Sequence, residues 1–306
     1  MDRRFGVIMV ATAVSAAGAV GCGDGVASAA ALVTGEYGIT DIAVDDFFVY
    51  FSTQGGTLKK VSIDGGPIET LASDVRGAKR IAIDATDVYC VTETGTVVRV
   101  AKRGGELLQL AEGSEIDAGG IVVDDAGVYV TVQGTNGLGA VRKVAKAGGA
   151  EIAELASNQT NPGALALSLG HLYWAVDDAL IEMPVEGGDQ QAFMPDQNKP
   201  ISVASDGSYV YWANFGDGLI GRAGVDGSSP IVVAADVENP YQVAGDSVSV
   251  YWTSTDGTLS MAPVGGELEP VVLSSGPRGP IRLALDRTSI YWSNYEAGTV
   301  IMRPKP

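Results

Sequence analysis

One tyrosine recurs along the chain at a nearly constant interval, and this repeat constrains the fold more than any other feature. Seven short apolar runs each end at an anchor position, and a tyrosine follows every anchor by five residues. The anchors are Asp45, Asp84, Asp124, Ser168, Asp206, Asp246 and Asp286, and the tyrosines are Tyr50, Tyr89, Tyr129, Tyr173, Tyr211, Tyr251 and Tyr291. Steps of 38 to 44 residues between anchors, with several short strands in each unit, predict a β-propeller.

Each unit divides into four strands, which we name a to d from the propeller axis outward. Strand a is the apolar run before the anchor, and strand b carries the tyrosine and, one position later, the tryptophans of the chain. Because blades converge at the axis, we expect strand a to have room only for small or β-branched side chains. A glycine pair such as Gly65–Gly66 predicts a two-residue hairpin turn between strands c and d. Cys90 takes a tryptophan's place, so we expect it to be a buried apolar side chain.

The two ends of the repeat region predict how the ring closes. The seventh unit stops at Pro306 without a strand d, whereas residues 29–34 form an apolar segment that precedes the first unit. We expect this segment to pair with residues 299–304, which leaves the ring with no exposed edge. The sequence therefore predicts an all-β, seven-bladed β-propeller over residues 29–306, with four antiparallel strands per blade and the last blade closed by the N-terminal strand.

Residues 1–21 have the plan of a bacterial lipoprotein signal peptide. Arg3 and Arg4 precede an apolar run that ends at small residues directly before Cys22, and the run is too short to span a bilayer. Cleavage there would leave a lipidated Cys22, a short tether over residues 22–28 and a protein anchored to the bacterial cell envelope. A competing site is the sequence Ala27-Ser28-Ala29, where cleavage after Ala29 would release a soluble secreted or periplasmic protein.

The charge of the chain restricts its partners. A formal net charge of −17 argues against nucleic acid and against anionic membrane surfaces, so we expect contact with the membrane only through the lipid anchor. The acidity is compatible with a cation or a basic partner, and it also keeps a protein soluble. We expect a monomer.

Several stretches resemble the YWTD repeat of low-density-lipoprotein-receptor-type propellers. Tyr251-Trp252-Thr253 and Ile63-Asp64-Gly65 match the middle of that repeat, and Asn161-Pro162, Asn239-Pro240 and Pro280 match its start. The resemblance covers residues 28–306 but departs from the family in blade number, since that family has six blades, and in the missing final aspartate. Because those propellers are mostly protein-binding modules, the resemblance implies a binding function without naming a ligand.

The candidate binding residues lie in the loops that vary from unit to unit. Loops b→c and d→a share one face, the variable-loop face, and loops a→b and c→d share the opposite one, the turn face. Variable loops on a rigid scaffold are a common place for function, and aromatic side chains beside polar ones are typical of contact surfaces. The candidates are Tyr37, Asn161, Phe215, Asp217, Asn239, Tyr241, Asp256 and Tyr295.

The anchor aspartates raise the question of a metal ring on the turn face. A sevenfold ring is too wide for one ion to bind every carboxylate, so we expect each aspartate to accept hydrogen bonds within its own a→b turn or from the next blade. The single histidine, His171, lies in such a turn, and no Ser–His–Asp set can be assembled around it.

The sequence thus favours a binding or interaction scaffold on the cell envelope, without cofactor, whose ligand is a protein or an extracellular polymer. The alternative is a metal-dependent hydrolase of the sugar-lactonase type, with a divalent cation in the funnel and Asn161, Asn239 or Asp217 among its ligands. A purely structural envelope protein is a third possibility.

Overall fold

The computed structural model describes residues 28–113, 117–134, 136–149, 152–276 and 279–306. The predicted signal peptide and Cys22 lie outside these residues, so the lipid anchor stays a prediction. The described chain forms seven four-stranded antiparallel sheets. No helix that is long and apolar enough to cross a membrane occurs within these ranges.

The sheets are the blades of a propeller, numbered in chain order. Blades 1 and 2 comprise β2 Ile39–Val44, β3 Phe48–Thr53, β4 Leu58–Ser62, β5 Glu69–Ala72, β6 Ala78–Ile83, β7 Asp87–Thr92, β8 Val97–Ala101 and β9 Leu108–Ala111. Blades 3 and 4 comprise β10 Asp117–Val123, β11 Val128–Gln133, β12 Leu138–Val144, β13 Ile152–Thr160, β14 Leu165–Ser168, β15 His171–Val176, β16 Ala179–Pro184 and β17 Gln191–Met194. Blades 5 and 6 comprise β18 Pro200–Ser205, β19 Tyr209–Asn214, β20 Leu219–Gly224, β21 Ile231–Ala234, β22 Pro240–Gly245, β23 Ser249–Ser254, β24 Thr258–Pro263 and β25 Val271–Ser275. Blade 7 comprises β26 Arg282–Leu285, β27 Ser289–Asn294, β28 Thr299–Pro304 and β1 Ala30–Val33.

The N-terminal strand closes the ring as the sequence predicts. Strand β1 is the outermost strand of blade 7 and runs antiparallel to β28, with Ala30 opposite Met302 and Val33 opposite Val300. Val33 is fully buried in the apolar cluster between blades 7 and 1. The predicted blade count, the four antiparallel strands and the closure are all confirmed.

The core is divided into seven apolar clusters, each between two successive blades. Every tyrosine that follows an anchor by five residues is buried, and each packs against strands of the following blade: Tyr129, for example, shares a cluster with Trp174 of blade 4. Cys90 is likewise buried among apolar side chains between blades 1 and 2, as predicted. Because each cluster needs two blades, no blade buries its own faces alone.

The anchor aspartates order the a→b turns and bind no common centre. In blade 2, Oδ1 of Asp84 accepts hydrogen bonds from the backbone N–H groups of Thr86 and Asp87, both at 2.8 Å. Its Oδ2 accepts a third from the Tyr89 hydroxyl at 2.8 Å. The same tyrosine contact recurs at Asp45, Asp124, Asp206 and Asp286. The predicted structural role of the anchors is confirmed.

Three anchors also join neighbouring blades through lysine. Nζ of Lys102 lies 2.7 Å from Asp45, Nζ of Lys146 lies 2.6 Å from Asp84, and Nζ of Lys305 lies 2.6 Å from Asp246. Each lysine comes from the blade that follows its aspartate, so the turn face carries ion pairs from blade to blade.

Blade 4 replaces the aspartate turn with a different one. Ser168 pairs directly with His171, and the two residues between them, Leu169 and Gly170, both have positive φ, at 47° and 78°. This is the geometry of a tight type I′ hairpin, and within the described residues the buried Ser168 hydroxyl has no hydrogen-bond partner. The Tyr173 hydroxyl instead donates to the Val225 carbonyl at 2.7 Å.

The glycine pairs lie in turns, but the predicted two-residue hairpin is wrong. Residues 63–68 separate β4 from β5, and Gly65 donates to the Ser62 carbonyl at the start of this loop. Gly65 and Gly66 both have positive φ, at 83° and 121°. The pair therefore turns the chain, and further residues carry it out to the peripheral strand.

Candidate functional site

A funnel of about 650 Å³ opens along the propeller axis on the variable-loop face. Its wall is formed by the first residues of the seven a strands, and its rim by the d→a and b→c loops. The antiparallel order of each blade places all these segments at one end of the molecule. Concave sites of this size hold small molecules or single units of a polymer.

The wall has a register fixed by the repeat. The residue four positions before each anchor lines the funnel in every blade, so that one residue per blade forms a ring around the axis. The ring consists of Asp41, Arg80, Gly120, Ala164, Ser202, Gln242 and Arg282. The expectation that strand a holds only small or β-branched side chains is wrong at this end, because the open funnel gives long side chains room.

Four members of this ring bind the next blade. Asp41 accepts a hydrogen bond from the backbone N–H of Ile81 at 2.9 Å, and Ser202 accepts one from Val243 at 3.1 Å. The Gln242 amide both donates to and accepts from the backbone of Leu283, at 3.1 Å each. Nε of Arg282 donates to the Thr40 carbonyl at 2.7 Å and thereby links blade 7 to blade 1.

Arg80 differs from these four in having no such bridge. Its hydrogen bond at 3.2 Å goes to the carbonyl of the adjacent Lys79, and among the described residues no carboxylate forms an ion pair with it. The strand of blade 3 that faces it carries Gly119 and Gly120, which offer no side chain. Burial, together with the positive charge of Arg282, lowers the pKa of Arg80.

Tyr241 completes the charged part of the wall. The guanidinium of Arg282 lies over its ring, 5.2 Å from the centroid, and donates to its hydroxyl at 3.4 Å. The positive charge of Arg282, opposed by burial and reinforced by Arg80, lowers the pKa of this phenol. Both guanidinium groups therefore act on the same hydroxyl.

Two lysines stand nearer the rim. Lys79 forms an ion pair with Asp117 of the next blade. Nζ of Lys199 lies 5.0 Å from the centre of the Phe215 ring. Four cations and three carboxylates thus line the funnel, which gives it one net positive charge in a chain whose net charge is −17.

The predicted binding residues fall into separate groups. Tyr37 and Tyr295 are neighbours across the ring closure, with ring centroids 6.1 Å apart. The Tyr295 hydroxyl donates to Gln54 at 2.8 Å, and Tyr37 is 69% exposed. Phe215 lies beside Lys199, and Asp217 is exposed in the same b→c turn.

Two predicted residues line the funnel, Tyr241 in its wall and Asn161 at its rim. The Asn161 amide donates to both carboxylate oxygens of Asp177, at 2.9 Å each. Tyr241 also lines a smaller hollow of about 340 Å³ that reaches Glu296.

Asn161 and Asn239 also have a structural reason for their identity. Both lie seven residues before the anchor of their blade and adopt positive φ, at 44° and 46°. Asparagine tolerates this conformation better than most residues. The Asn239 carbonyl accepts from the N–H of Thr255, which ties the d→a loop to the b→c loop. Asp256 caps its own turn by accepting from the N–H of Thr258 at 2.9 Å.

The proposed metal ligands are not brought to one point. Asn161, Asn239 and Asp217 belong to three different blades, and of these only Asn161 lines the funnel. Within the described ranges, no three His, Cys, Asp or Glu side chains are grouped so that they could hold a metal ion.

Sequence reasoning missed the cations of the funnel. Lys79, Arg80 and Arg282 sit in apolar runs that the repeat marks as inner strands, and those runs suggest burial rather than a site. A signal was present: counting four residues back from each anchor selects the whole ring, including both arginines.

Comparison with known proteins shows the fold. No protein-family model matches the chain, and no curated protein matches its sequence. Virginiamycin B lyase from Staphylococcus aureus, as its selenomethionine form, has a similar structure, with a TM-score of 0.76, 15% identity, and coverage of 91% of this chain and 99% of that one. A catalytically inactive histidine-to-alanine variant of that enzyme, with quinupristin, gives a TM-score of 0.74 at 16% identity over 91% of this chain and 99% of that one. A chain of the nidogen/laminin complex gives a TM-score of 0.59 at 17% identity over 72% of this chain and 89% of that one. At these identities the likeness is one of fold, the β-propeller.

Proposed function

We propose that this protein is a binding module whose ligand, a protein or an extracellular polymer, is met at the variable-loop face. The observation that carries the proposal is the difference in build between the two faces. The anchor aspartates of the turn face are engaged in hydrogen bonds within and between blades, whereas the variable-loop face has an open, charged funnel flanked by the Tyr37–Tyr295 pair and by Phe215.

An enzymatic role has less support. The lyase with the similar fold is inactive as a histidine-to-alanine variant, and the one histidine of this chain, His171, begins strand β15 on the turn face. The metal-dependent hydrolase remains the alternative, since Asn161 and Asp177 place oxygen atoms at the funnel rim.

The binding proposal is tested by probing purified extracellular polysaccharides and envelope proteins with the full-length protein. We expect saturable binding to one of them that weakens in Tyr37→Ala and Phe215→Ala. Phe47→Ala is a matched control, because Phe47 lies in an a→b turn and is as exposed as Tyr37, at 69%. Equal loss in the control variant would contradict a site on the variable-loop face.

The hydrolase alternative is tested with calcium or magnesium at millimolar concentration. A tightly bound ion raises the thermal midpoint by mass action. We expect little change. A rise of many degrees that is lost in Asp217→Asn or Asn239→Ala, together with lactone hydrolysis, would replace the binding proposal with the enzyme.

The location of the protein is also a proposal. Lipidation of Cys22 would hold the propeller on the cell envelope by its N-terminus. Wild-type protein should incorporate palmitate and fractionate with membranes, and Cys22→Ser should not. Unlabelled protein that begins at Ala30 would instead support release after Ala29.

A further inference from the structure

Resting on the proposed binding function, we propose that the funnel recognises the carboxylate of a singly charged, hydroxylated unit, the chemistry of an acidic sugar. Arg80 and Arg282 would hold the carboxylate, with the Tyr241 hydroxyl beside them, and polar groups of the wall would bind the hydroxyls. The unit is either a free small molecule or one residue of an extracellular polymer.

Arg80 has hydrogen-bond donors that a ligand carboxylate could use. Arginine presents five donors in a planar fork that matches a carboxylate in bidentate geometry. In the described structure, one donor of Arg80 reaches the neighbouring Lys79 carbonyl, while Asp41 and Asp117, which act on Arg80 through their charge, form ion pairs with Arg282 and Lys79. Arg80 is partly buried and has no carboxylate of the described residues in direct contact, so a ligand carboxylate would offset part of the cost of removing its charge from water.

The backbone conformation of Lys199, at the rim of the funnel, also supports a site for an anion. Lys199 has φ +54°, and the equivalent positions of blades 1 and 2 are Gly38 and Gly77, with φ +70° and +68°. Glycine takes this conformation without strain, whereas a lysine does not. The chain thus keeps a lysine at the mouth of the funnel in a conformation that disfavours it, as functional positions often do.

The charge balance distinguishes a carboxylate from a phosphate. Lys79, Arg80, Lys199 and Arg282 oppose Asp41, Asp117 and Asp177, which leaves a single positive charge. A monoanion neutralises this charge, while a dianion would leave an excess negative charge near three carboxylates. The wall therefore fits a ligand of charge −1.

Hydrogen-bonding groups around the cations fit hydroxyls. Ser202 and Gln133 line the wall, and the Asn161–Asp177 pair stands at the rim. A carboxylate keeps acceptor capacity beyond one amide partner, so Asp177 can still accept from a ligand hydroxyl. An anion site that also contains carboxylates favours a ligand that carries its own O–H donors.

The test is calorimetric titration of the full-length protein with D-glucuronate, with D-glucose as the neutral analogue. We expect a Kd of about 1 mM for a ligand of this size, and no measurable binding of glucose. Arg80→Gln should weaken binding at least about tenfold, because it removes a charge-assisted hydrogen bond. Tyr241→Phe, which removes only the hydroxyl, is the second variant if Arg80→Gln does not fold. The control is Arg103→Gln, which removes an exposed arginine of the same blade outside the funnel and should bind normally.

Further titrations distinguish a free acid from a polymer unit, and failure of this proposal from failure of the proposed function. Polygalacturonate that binds more tightly than its own monomer, D-galacturonate, would identify a polymer unit, and binding of the monomeric uronates alone would identify a free acid. Tighter binding of inorganic phosphate, sulfate or polyglutamate than of any uronate would overturn the proposal. So would equal binding of glucose, or an absence of uronate binding by folded protein. In the last case, persisting Tyr37-dependent binding would leave the proposed function standing, whereas loss of both would remove it as well.

Discussion

On the turn face, six of the seven blades place an aspartate at the anchor, and each of these aspartates makes the same pair of backbone hydrogen bonds. On the variable-loop face, the ring four residues earlier holds seven positions of six different residue types, from glycine to arginine. The two faces are built from the same strands only four residues apart. The uniform positions stabilise every blade in the same way, and the concave surface that differs from blade to blade is the one at which we propose binding.

Lowering the pH should produce the largest change in the free energy of unfolding, because it protonates the anchor aspartates of the turn face. Burial opposes ionisation of Asp84, but hydrogen bonds from Lys146, the Thr86 and Asp87 N–H groups and the Tyr89 hydroxyl outweigh it and lower its pKa. The pKa values of Asp45, Asp246 and Asp286 are lowered for the same kinds of reason.

Because these folded-state pKa values lie below the value of about 3.9 in the unfolded chain, the unfolded state binds more protons as the pH falls. The stabilisation is complete above about pH 5 and is lost as the pH drops through the folded-state values. Urea unfolding between pH 7 and pH 3 measures this loss, and Asp84→Asn should flatten the curve. A free energy of unfolding that stays constant down to pH 3 would contradict the stabilising role of the anchors.

A single anchor should matter more than a carboxylate at the funnel rim. Asp84→Ala removes four hydrogen-bond partners at once and should lower the free energy of unfolding by about 2–4 kcal/mol. Asp177→Ala is the counterpart on the other face, where the exposed carboxylate meets Asn161, and it should change stability by at most about 0.5 kcal/mol. Urea denaturation of both variants at pH 7 makes the comparison, and equal losses would abolish the distinction between the faces.

Removing a cation from the funnel should raise the free energy of unfolding, whereas removing an anchor lowers it. Arg80 lies close enough to Arg282 for mutual repulsion, so Arg80→Gln should raise the free energy of unfolding by up to about 1 kcal/mol. Thermal unfolding measures the change, with Arg103→Gln as the variant that should be neutral. A marked loss of stability in Arg80→Gln would mean that this arginine belongs to the scaffold.

The smallest effect is expected where the turn face departs from its own rule. The buried Ser168 hydroxyl, at the anchor position of blade 4, has no hydrogen-bond partner within the described residues, and Tyr173 donates to Val225 instead of to the anchor. Ser168→Ala should therefore change the free energy of unfolding by at most about 0.5 kcal/mol in urea denaturation, because no hydrogen bond is lost. A loss of more than about 1 kcal/mol would show that this hydroxyl stabilises its turn as the anchor aspartates do.

The same contrast explains which features the sequence could predict. Spacing alone gave the blade number, the closing strand, the buried tyrosines and the structural role of the anchors, because each is repeated or is the missing member of a repeat. The roles of Arg80 and Arg282 were not predicted, because residues that differ from blade to blade leave no period in the sequence. The length of the c→d loops was not predicted for another reason: a glycine pair locates a turn and does not determine its length.

The pairing of Ala30 with Met302 also determines when folding of the propeller can be completed. Local hairpins can form as the chain is synthesised, but blade 7 has no outer strand until the last strand meets the first. Until then both partners present unpaired strand edges, which are open to pairing with other chains. Contacts between the two ends of a chain also form slowly, because loop closure comes before the contacts that reward it. Every newly made copy therefore passes through an open ring, in which one edge of β28 stays unpaired until β1 reaches it.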